Sequence, residues 1–385
     1  MTQFDDIRPY SDDEVPAVLG RLLADNEMIA AIARLKLGEW QRALSWLVYP
    51  VIRWYLRRQL RGVSTVADFQ RIVKHYMDEM VESSTTGFTV SGLERLDPAK
   101  PYLFMSNHRD ITLDPAFVNY ALYHNEHDTV RIAIGDNLLT KPFVSDLMRI
   151  NKSFIVKRSA KGPRQVLAAY KALSAYIRHS IEEDRNPIWI AQREGRAKDG
   201  NDRTEPAIIK MLAMSQNKSE ESFAGFINML HIVPVSISYE LDPCDGAKAR
   251  ELYQKATQGK YEKSEHEDVG SIAQGISGQK GAVHVAFGSP LSGEFEDADS
   301  VARAVDAQVI ANYRLHPTNY FAYFQLHGHY PDIPGEARFD SASDPALRQR
   351  EQAFKARIDS LPEAHREMAL GIYANIIERK LELAG

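Results

Sequence analysis

The chain has 385 residues and a mass of 43.5 kDa, with 44% hydrophobic and 26% charged residues, as in ordinary soluble domains. This length predicts one large domain or two, and this composition excludes a disordered, collagen-like or disulfide-stapled chain. Cys244 is the single cysteine, which excludes an intrachain disulfide and a zinc site of several thiolates. The formal net charge of −5 argues against a dedicated nucleic-acid binder.

The charge is unevenly distributed along the chain. Between Lys141 and Lys218 there are 16 Lys and Arg residues against 8 Asp and Glu residues, a local net charge of +8. A basic segment in an acidic protein favours an anionic ligand near that segment. A solvated basic face would have the same composition, so the charge alone leaves both interpretations open.

Residues 1–87 show helical spacing of apolar side chains, which predicts an N-terminal helical region. The stretch from Arg42 to Gly62 mixes aromatic residues with arginines. This mixture is typical of a helix at a membrane interface, although an ordinary core helix with basic ends would fit too. No run of about 18 apolar residues occurs and Met1–Tyr10 lacks signal-peptide character. We therefore expect a cytoplasmic protein in peripheral contact with the inner face of the cell membrane.

From Gly87 onward, short β-rich runs alternate with helical ones, which predicts an α/β fold with a mixed, partly parallel sheet flanked by helices. The predicted domains are residues 1–87 (helical), 88–292 (α/β) and 293–385 (a helical C-terminal extension). Residues 243–282 are polar and predict an excursion from the sheet, and Pro234 within a strand favours an edge, a bulge or a first position. The predicted strands are Phe88–Val90, Tyr102–Met105, Arg131–Ile134, Ser153–Val156, Ile188–Ala191, Ile232–Ser238 and Val283–Phe287.

The segment "YLFMSNHRDITLDPAF" has the strongest chemical character in the chain. Its apolar strand leads into His108, and Asp110 and Asp114 follow. A histidine at the carboxyl end of a strand lies where α/β proteins bind ligands. A carboxylate that holds one ring nitrogen makes the other nitrogen more basic, so the ring can deprotonate a hydroxyl. A purely structural histidine beside an aspartate is the alternative.

Two further strand ends carry cations. "WIAQREGRAKDG" places Arg196 and Lys198 after Gly195, a residue that permits a tight turn and close approach of a ligand. "NKSFIVKRS" delivers Lys157 and Arg158 together. Arginine and lysine side chains at such positions could neutralise a phosphate, although a charged turn without a ligand would show the same residues.

The segments "NHRDITLD", "FIVKR", "REGRAK" and "IVPVSI" resemble, in this order, the conserved boxes of the glycerolipid acyltransferase superfamily. That superfamily includes the glycerol-3-phosphate, dihydroxyacetone-phosphate and 1-acylglycerol-3-phosphate acyltransferases. The resemblance covers about Gly87–Leu291. Two departures suggest a divergent branch: Asp114 lies six positions after His108 rather than five, and Arg196 directly follows Gly195 without a spacer.

The resemblance implies a reaction. His108, oriented by Asp114 or alternatively by Asp110, would remove the proton from an acceptor hydroxyl, and the resulting oxygen would attack the thioester of acyl-CoA or acyl carrier protein. The acceptor would be glycerol 3-phosphate or 1-acylglycerol 3-phosphate. No metal and no cofactor beyond the thioester co-substrate are implied. An acyltransferase for a lyso-aminolipid or other acceptor, and an inactive lipid- or CoA-binding protein, are the alternatives.

The resemblance also implies a substrate-binding set near the predicted base. The cations would hold a phosphate of the acceptor or donor, and the glutamate of the third box would hydrogen-bond an acceptor hydroxyl or fix the arginines. This set consists of Lys157, Arg158, Glu194, Gly195, Arg196 and Lys198.

Overall fold

The computed structural model describes residues 3–37, 45–264, 267–336, 339, 341–342 and 344–384. Contacts within the chain divide it into two compact units. The smaller unit comprises Met1–Met77 and Val130–Tyr176, and the larger comprises Asp78–Thr129 and Ile177–Gly385. The domain boundaries predicted after residues 87 and 292 stay a prediction.

Each of the seven predicted strands is present, within a few residues of the expected bounds. The strands are β1 (Thr85–Ser91), β2 (Leu103–Ser106), β3 (Arg131–Gly135), β4 (Ser153–Val156), β5 (Ile188–Ala191), β6 (Ile232–Tyr239) and β7 (Gly281–Phe287). The helices of the described residues are α1 (Val15–Ala24), α2 (Asn26–Leu37), α3 (Ser45–Gln59), α4 (Val66–Ser84), α5 (Leu113–His124), α6 (Pro142–Ile150), α7 (Pro163–Glu182), α8 (Pro206–Leu212), α9 (Phe223–Met229), α10 (Asp245–Gln258), α11 (Glu267–Ser277), α12 (Ala298–Asn312), α13 (Pro317–His327), α14 (Pro345–Asp359) and α15 (Glu363–Ala384).

The smaller unit joins the N-terminal helices to a parallel pair of strands, β3 and β4. Its core is an apolar cluster in which side chains of α1, such as Leu19, pack with Ile29 of α2, Phe69 of α4 and Ile150 of α6. Helix α3 packs one face on this cluster through Tyr49, Ile52 and Leu56. The predicted helical N-terminal region is confirmed; positions 42–44 of its basic and aromatic stretch lie outside the described residues.

The larger unit contains a five-stranded stretch of sheet in the order β1-β7-β6-β2-β5. Strand β2 runs parallel to both β5 and β6, whereas β6 and β7 are antiparallel. The predicted mixed, partly parallel α/β sheet is therefore confirmed. Ser106 at the end of β2 pairs with Ala191 at the end of β5. The loop that carries His108 and the loop that carries Arg196 therefore leave the sheet side by side.

The prediction that Pro234 lies at an edge, a bulge or a first position is wrong. Its strand, β6, is an interior strand, paired with β2 on one side and β7 on the other. The Ile237 N–H donates to Asn107, on the β2 side. Since N–H groups alternate in direction along a strand, the N–H missing from Pro234 would face β7. Strand β7 ends there, at Phe287, and the next residue, Gly288, donates to the Pro234 carbonyl. The proline therefore interrupts little of the ladder.

The excursion between β6 and β7 is helical, formed by α10 and α11. After β7, helices α12–α15 form the predicted helical extension. Side chains such as Phe321 of α13, Phe354 of α14 and Ile372 of α15 share one apolar cluster with Ala249 of α10. The excursion and the extension are thus packed together.

Candidate active site

The turn after β2 is fixed by Asn107, whose side chain is fully buried. Its amide nitrogen donates to the carbonyl of Ile237 at 3.0 Å and to Asp202 at 3.1 Å, and its amide oxygen accepts from the Ile237 N–H at 2.8 Å. The side chain thereby continues the link between β2 and β6 past the last paired residue. The position of the next residue, His108, follows from this anchoring.

His108 forms a hydrogen bond with Asp114, with 2.8 Å between Nδ1 and Oδ2. The imidazole is 14% exposed whereas Asp114 is fully buried, and the ring also makes an edge contact with Trp189. Among the described residues, none is within hydrogen-bond distance of Nε2. A neutral ring that donates from Nδ1 has an unprotonated Nε2, which is the form that can accept a proton.

Asp114, in the first turn of α5, receives hydrogen bonds at both carboxylate oxygens. Oδ2 accepts from the backbone N–H groups of Arg109, at 2.6 Å, and Asp110, at 2.9 Å, in addition to His108. Oδ1 accepts from the hydroxyl of Tyr239 at 2.6 Å. The start of a helix also favours a negative charge. Of the two candidate aspartates, Asp114 is the one that contacts His108.

Asp110 serves the start of α5 instead. Its Oδ1 accepts from the N–H groups of Thr112, at 2.9 Å, and Leu113, at 2.8 Å. A Cβ atom at Gly275 of α11 would lie only 2.4 Å from its Oδ2, so glycine allows α11 to approach this carboxylate. Burial, with a contribution from the charge of Asp114, raises the pKa of Asp110.

The loop after β5 contacts the turn after β2 that carries His108 (the histidine turn). The contact is a hydrogen bond from the Ala197 N–H to the carbonyl of His108, at 2.8 Å. Gly195 has a φ of +73°, a conformation that favours glycine. Arg196 is half-buried and has no hydrogen-bond partner among the residues that the structure describes. Glu194 is exposed, and its backbone N–H donates to Glu205 at 3.4 Å.

Lys198, predicted to hold a phosphate, already has a carboxylate partner. It forms an ion pair with Glu251 of α10, and the two side chains are only 13% and 5% exposed. Burial lowers the pKa of Lys198. Burial alone would raise the pKa of Glu251, but hydrogen bonds from Lys198 and Lys255 hold it below its ordinary value. An incoming anion would therefore have to share Lys198 with Glu251.

Lys157 and Arg158 lie in the smaller unit, at the end of β4. Lys157 forms an ion pair with Asp6. The side chain of Arg158 lies against Gly135, where a Cβ atom would be 2.9 Å from its Cδ, and its backbone N–H donates to Asp136 at 3.0 Å. Both side chains are exposed. That they bind the same substrate as His108 stays a prediction.

A buried charged layer supports the histidine turn, and sequence patterns gave little sign of it. Arg109 forms an ion pair with Asp202 at 2.7 Å and donates to the carbonyl of Ile372 in α15. Lys248 of α10 donates to the carbonyl of Arg109 at 2.7 Å and pairs with Asp242. The excursion and the C-terminal helix therefore both contact the turn that carries His108.

Neither a metal site nor a reactive thiol stands out. Within the described residues, no group of three or more His, Cys, Asp or Glu side chains is arranged to hold a metal ion. Cys244 is buried, and burial raises the pKa of its thiol to about 11, which keeps it protonated and unreactive. The metal-free reaction implied by the sequence stays a prediction.

Comparisons with known proteins find similarity to acyltransferases. Residues 87–238 match the family model described as Acyltransferase. Dihydroxyacetone phosphate acyltransferase of Bos taurus is 24% identical over 205 residues, which cover 53% of this chain and 28% of that protein. The match thus spans little more than a quarter of the relative's length. Among solved structures, the 1-acyl-sn-glycerophosphate acyltransferase of Thermotoga maritima aligns with a TM-score of 0.38 and 12% identity, over 77% of this chain and 94% of that one.

The matched residues 87–238 include most of β1, all of β2, β3, β4 and β5, most of β6 and both loops of the candidate site. They also include each of the four sequence segments on which the resemblance was based. Over these residues, the match to the Acyltransferase family model and the similarity to dihydroxyacetone phosphate acyltransferase both support the resemblance to the glycerolipid acyltransferase superfamily.

Proposed function

We propose that the protein is an O-acyltransferase that moves a fatty acyl group from acyl-CoA or acyl carrier protein to a hydroxyl of glycerol 3-phosphate or 1-acylglycerol 3-phosphate. The observation that carries this proposal is the contact between His108 and Asp114 at 2.8 Å, at the carboxyl end of β2. The excess of basic residues between Lys141 and Lys218 supports an anionic substrate.

In the proposed reaction, Nε2 of His108 takes the proton of the acceptor hydroxyl while the oxygen forms a bond to the thioester carbonyl carbon. The tetrahedral intermediate then collapses as the carbon–sulfur bond breaks. His108 returns the proton to the departing thiolate, which leaves as the thiol. Asp114 keeps Nδ1 protonated and stabilises the imidazolium formed in between. Arg196 and Lys198 supply positive charge for a phosphate of either substrate, and Lys157 and Arg158 are the predicted additions to this set.

The test measures thiol release from acyl-CoA and from acyl carrier protein with a panel of acceptors: glycerol 3-phosphate, 1-acylglycerol 3-phosphate and a lyso-aminolipid. We expect His108→Ala to lower kcat/KM by about 10³-fold or more, and Asp114→Asn by about 10²-fold or more, because general-base catalysis is lost. His124→Ala is the matched control, since His124 also pairs with an aspartate, Asp78 at 3.3 Å, but at the far end of α5.

The acceptor panel separates the alternatives. Transfer to the lyso-aminolipid alone would replace the phosphate acceptors in the proposal. Binding of acyl-CoA by the wild type without transfer to any acceptor would identify an inactive binding protein. Full activity of the His108→Ala variant would overturn the catalytic assignment.

We also propose that α3 contacts the inner face of the cell membrane. Its apolar and aromatic side chains Trp46, Leu47, Val51, Trp54 and Tyr55 are 47–75% exposed. Arg57 and Arg58 are exposed on the same helix, and the guanidinium of Arg58 lies over the ring of Trp54. Aromatic rings suit the headgroup level and arginines suit anionic lipid. No helix among the described residues is long and apolar enough to cross a bilayer.

A further inference from the structure

Sequence patterns did not single out Tyr239, although its hydroxyl is bonded to the carboxylate that holds His108. Tyr239 is the last residue of β6, and its hydroxyl donates to Oδ1 of Asp114 at 2.6 Å. Its ring packs near that of Phe117 in α5, with 5.8 Å between centroids. The side chain is 6% exposed and Asp114 is fully buried, so this hydrogen bond is shielded from bulk water.

We propose that Tyr239 is a positioning residue that adjusts, through Asp114, how strongly His108 holds its proton. This inference rests on the proposed function for its catalytic meaning, but the contacts on which it is based do not. Tyr239 acts on the carboxylate rather than on the substrate, so its effect differs from that of a substrate-binding residue.

The two oxygens of Asp114 have different hydrogen-bond donors. Oδ2 is held by two backbone N–H groups and by His108, whereas Tyr239 is the donor at Oδ1. The backbone donors fix the carboxylate's orientation in any variant that folds. The phenol instead draws negative charge toward Oδ1, because a hydrogen bond to an anion spreads its charge onto the donor. Less charge then remains at Oδ2 to hold a proton on the imidazole.

The hydroxyl of Tyr239 remains protonated, as this role requires. Burial, reinforced by the charges of Asp114, Asp110 and Asp242, raises the pKa of Tyr239 well above its ordinary value. The other charged groups that face this cluster are Lys248 of α10, Lys280 before β7 and Arg109 of the histidine turn. These groups are the same in a Tyr239→Phe variant, so a difference between that variant and the wild type reports the phenol.

The experiment compares the pH profiles of kcat/KM for the wild type and Tyr239→Phe. Without the phenol, the carboxylate holds the imidazolium proton more tightly. We expect the half-maximal point of the acidic limb to move upward by about one pH unit, the size expected for one hydrogen bond to a charged group. Below both midpoints kcat/KM should then be about tenfold lower, while the alkaline plateau and KM change less than threefold.

A graded variant should shift the acidic limb of the pH profile in the opposite direction. Replacement of Tyr239 by 3-fluorotyrosine keeps the ring and makes the hydroxyl a stronger donor, so the acidic limb should move downward. Tyr373→Phe is the matched control, because Tyr373 is an equally buried phenol that donates to a buried carboxylate, Asp245, at 2.7 Å. It should lose a similar amount of stability without moving the acidic limb.

A second measurement does not depend on activity. The ring nitrogens of ¹⁵N-labelled histidines report the protonation of His108 by NMR, with His108→Ala used to assign its signals. The same upward shift is expected in Tyr239→Phe. If no acceptor is acylated but this shift occurs, the proposed function fails and the role of Tyr239 stands. If the titration of His108 and the acidic limb are both unchanged in Tyr239→Phe, the inference is overturned.

Discussion

At the scale of single residues, two glycines show how similar backbones can carry different constraints. Gly195 and Gly200 lie in the same loop after β5, with φ values of +73° and +77°. A Cβ atom at Gly195 would meet nothing within 4 Å, whereas one at Gly200 would lie 2.2 Å from the carbonyl oxygen of Ile372 in α15. The first glycine is required only by its conformation, and the second also by the contact with the C-terminal helix.

The two substitutions should therefore differ in cost. We expect Gly195→Ala to lower the free energy of unfolding by about 1 kcal/mol, the strain of the left-handed conformation. Gly200→Ala should cost about 3 kcal/mol or more, because the backbone of α15 must also move. Urea denaturation of both variants measures the difference. Equal losses would show that α15 does not restrain this loop.

At the scale of elements, helix α3 has two faces with different surroundings. One face packs on the core of the smaller unit through Tyr49, Ile52 and Leu56. The other exposes Trp46 and Trp54, at 75% and 61% exposure, beside basic residues. A buried apolar face with an exposed aromatic and basic face is the pattern expected of a helix lying at a membrane surface.

Vesicle co-sedimentation tests this arrangement. We expect binding to vesicles that contain phosphatidylglycerol, and weaker binding to pure phosphatidylcholine. Trp46→Ala with Trp54→Ala should lower the affinity for the anionic vesicles by at least tenfold, because two large interfacial side chains are removed. Val269→Ala with Ile276→Ala, on the exposed side of α11, is the control. Equal binding by both double variants would argue against a membrane contact through α3.

At the scale of the whole molecule, two buried histidines make stability depend on pH. Burial lowers the pKa of His284 and of His316 to about 4. His284 lies between Thr89 and Ser91 of β1, at 2.7 and 2.9 Å, and His316 lies near Ser238. In the unfolded chain both rings would titrate near pH 6.5. Between pH 6.5 and 4 the unfolded state therefore binds more protons, and stability falls as the pH is lowered.

Each histidine should lower the free energy of unfolding by about 1.5 kcal/mol as the pH falls from 6.5 to 5. We expect urea denaturation of the wild type to be steeper in pH over this window than that of a His284→Gln, His316→Gln double variant. The comparison of slopes removes the contribution of other titrating groups. Parallel slopes would show that the two rings are not held neutral in the folded state.

Local sequence patterns predicted the strands and the resemblance to a family, because apolar runs, turn residues and box motifs are formed by neighbouring residues. They also brought His108 and its two candidate aspartates to notice, since all three lie within one short segment. They left the choice between Asp110 and Asp114 open, because that choice depends on how the turn before α5 directs each carboxylate.

Only the tertiary structure decided the contacts between residues far apart in the chain. Tyr239 reaches Asp114 across 125 positions, and Glu251 reaches Lys198 across 53. Pro234 was expected at an edge, a bulge or a first position, but it lies inside the sheet, at the point where β7 ends. Such contacts arise when separate segments are packed against one another, so the spacing of residues within any one segment does not encode them.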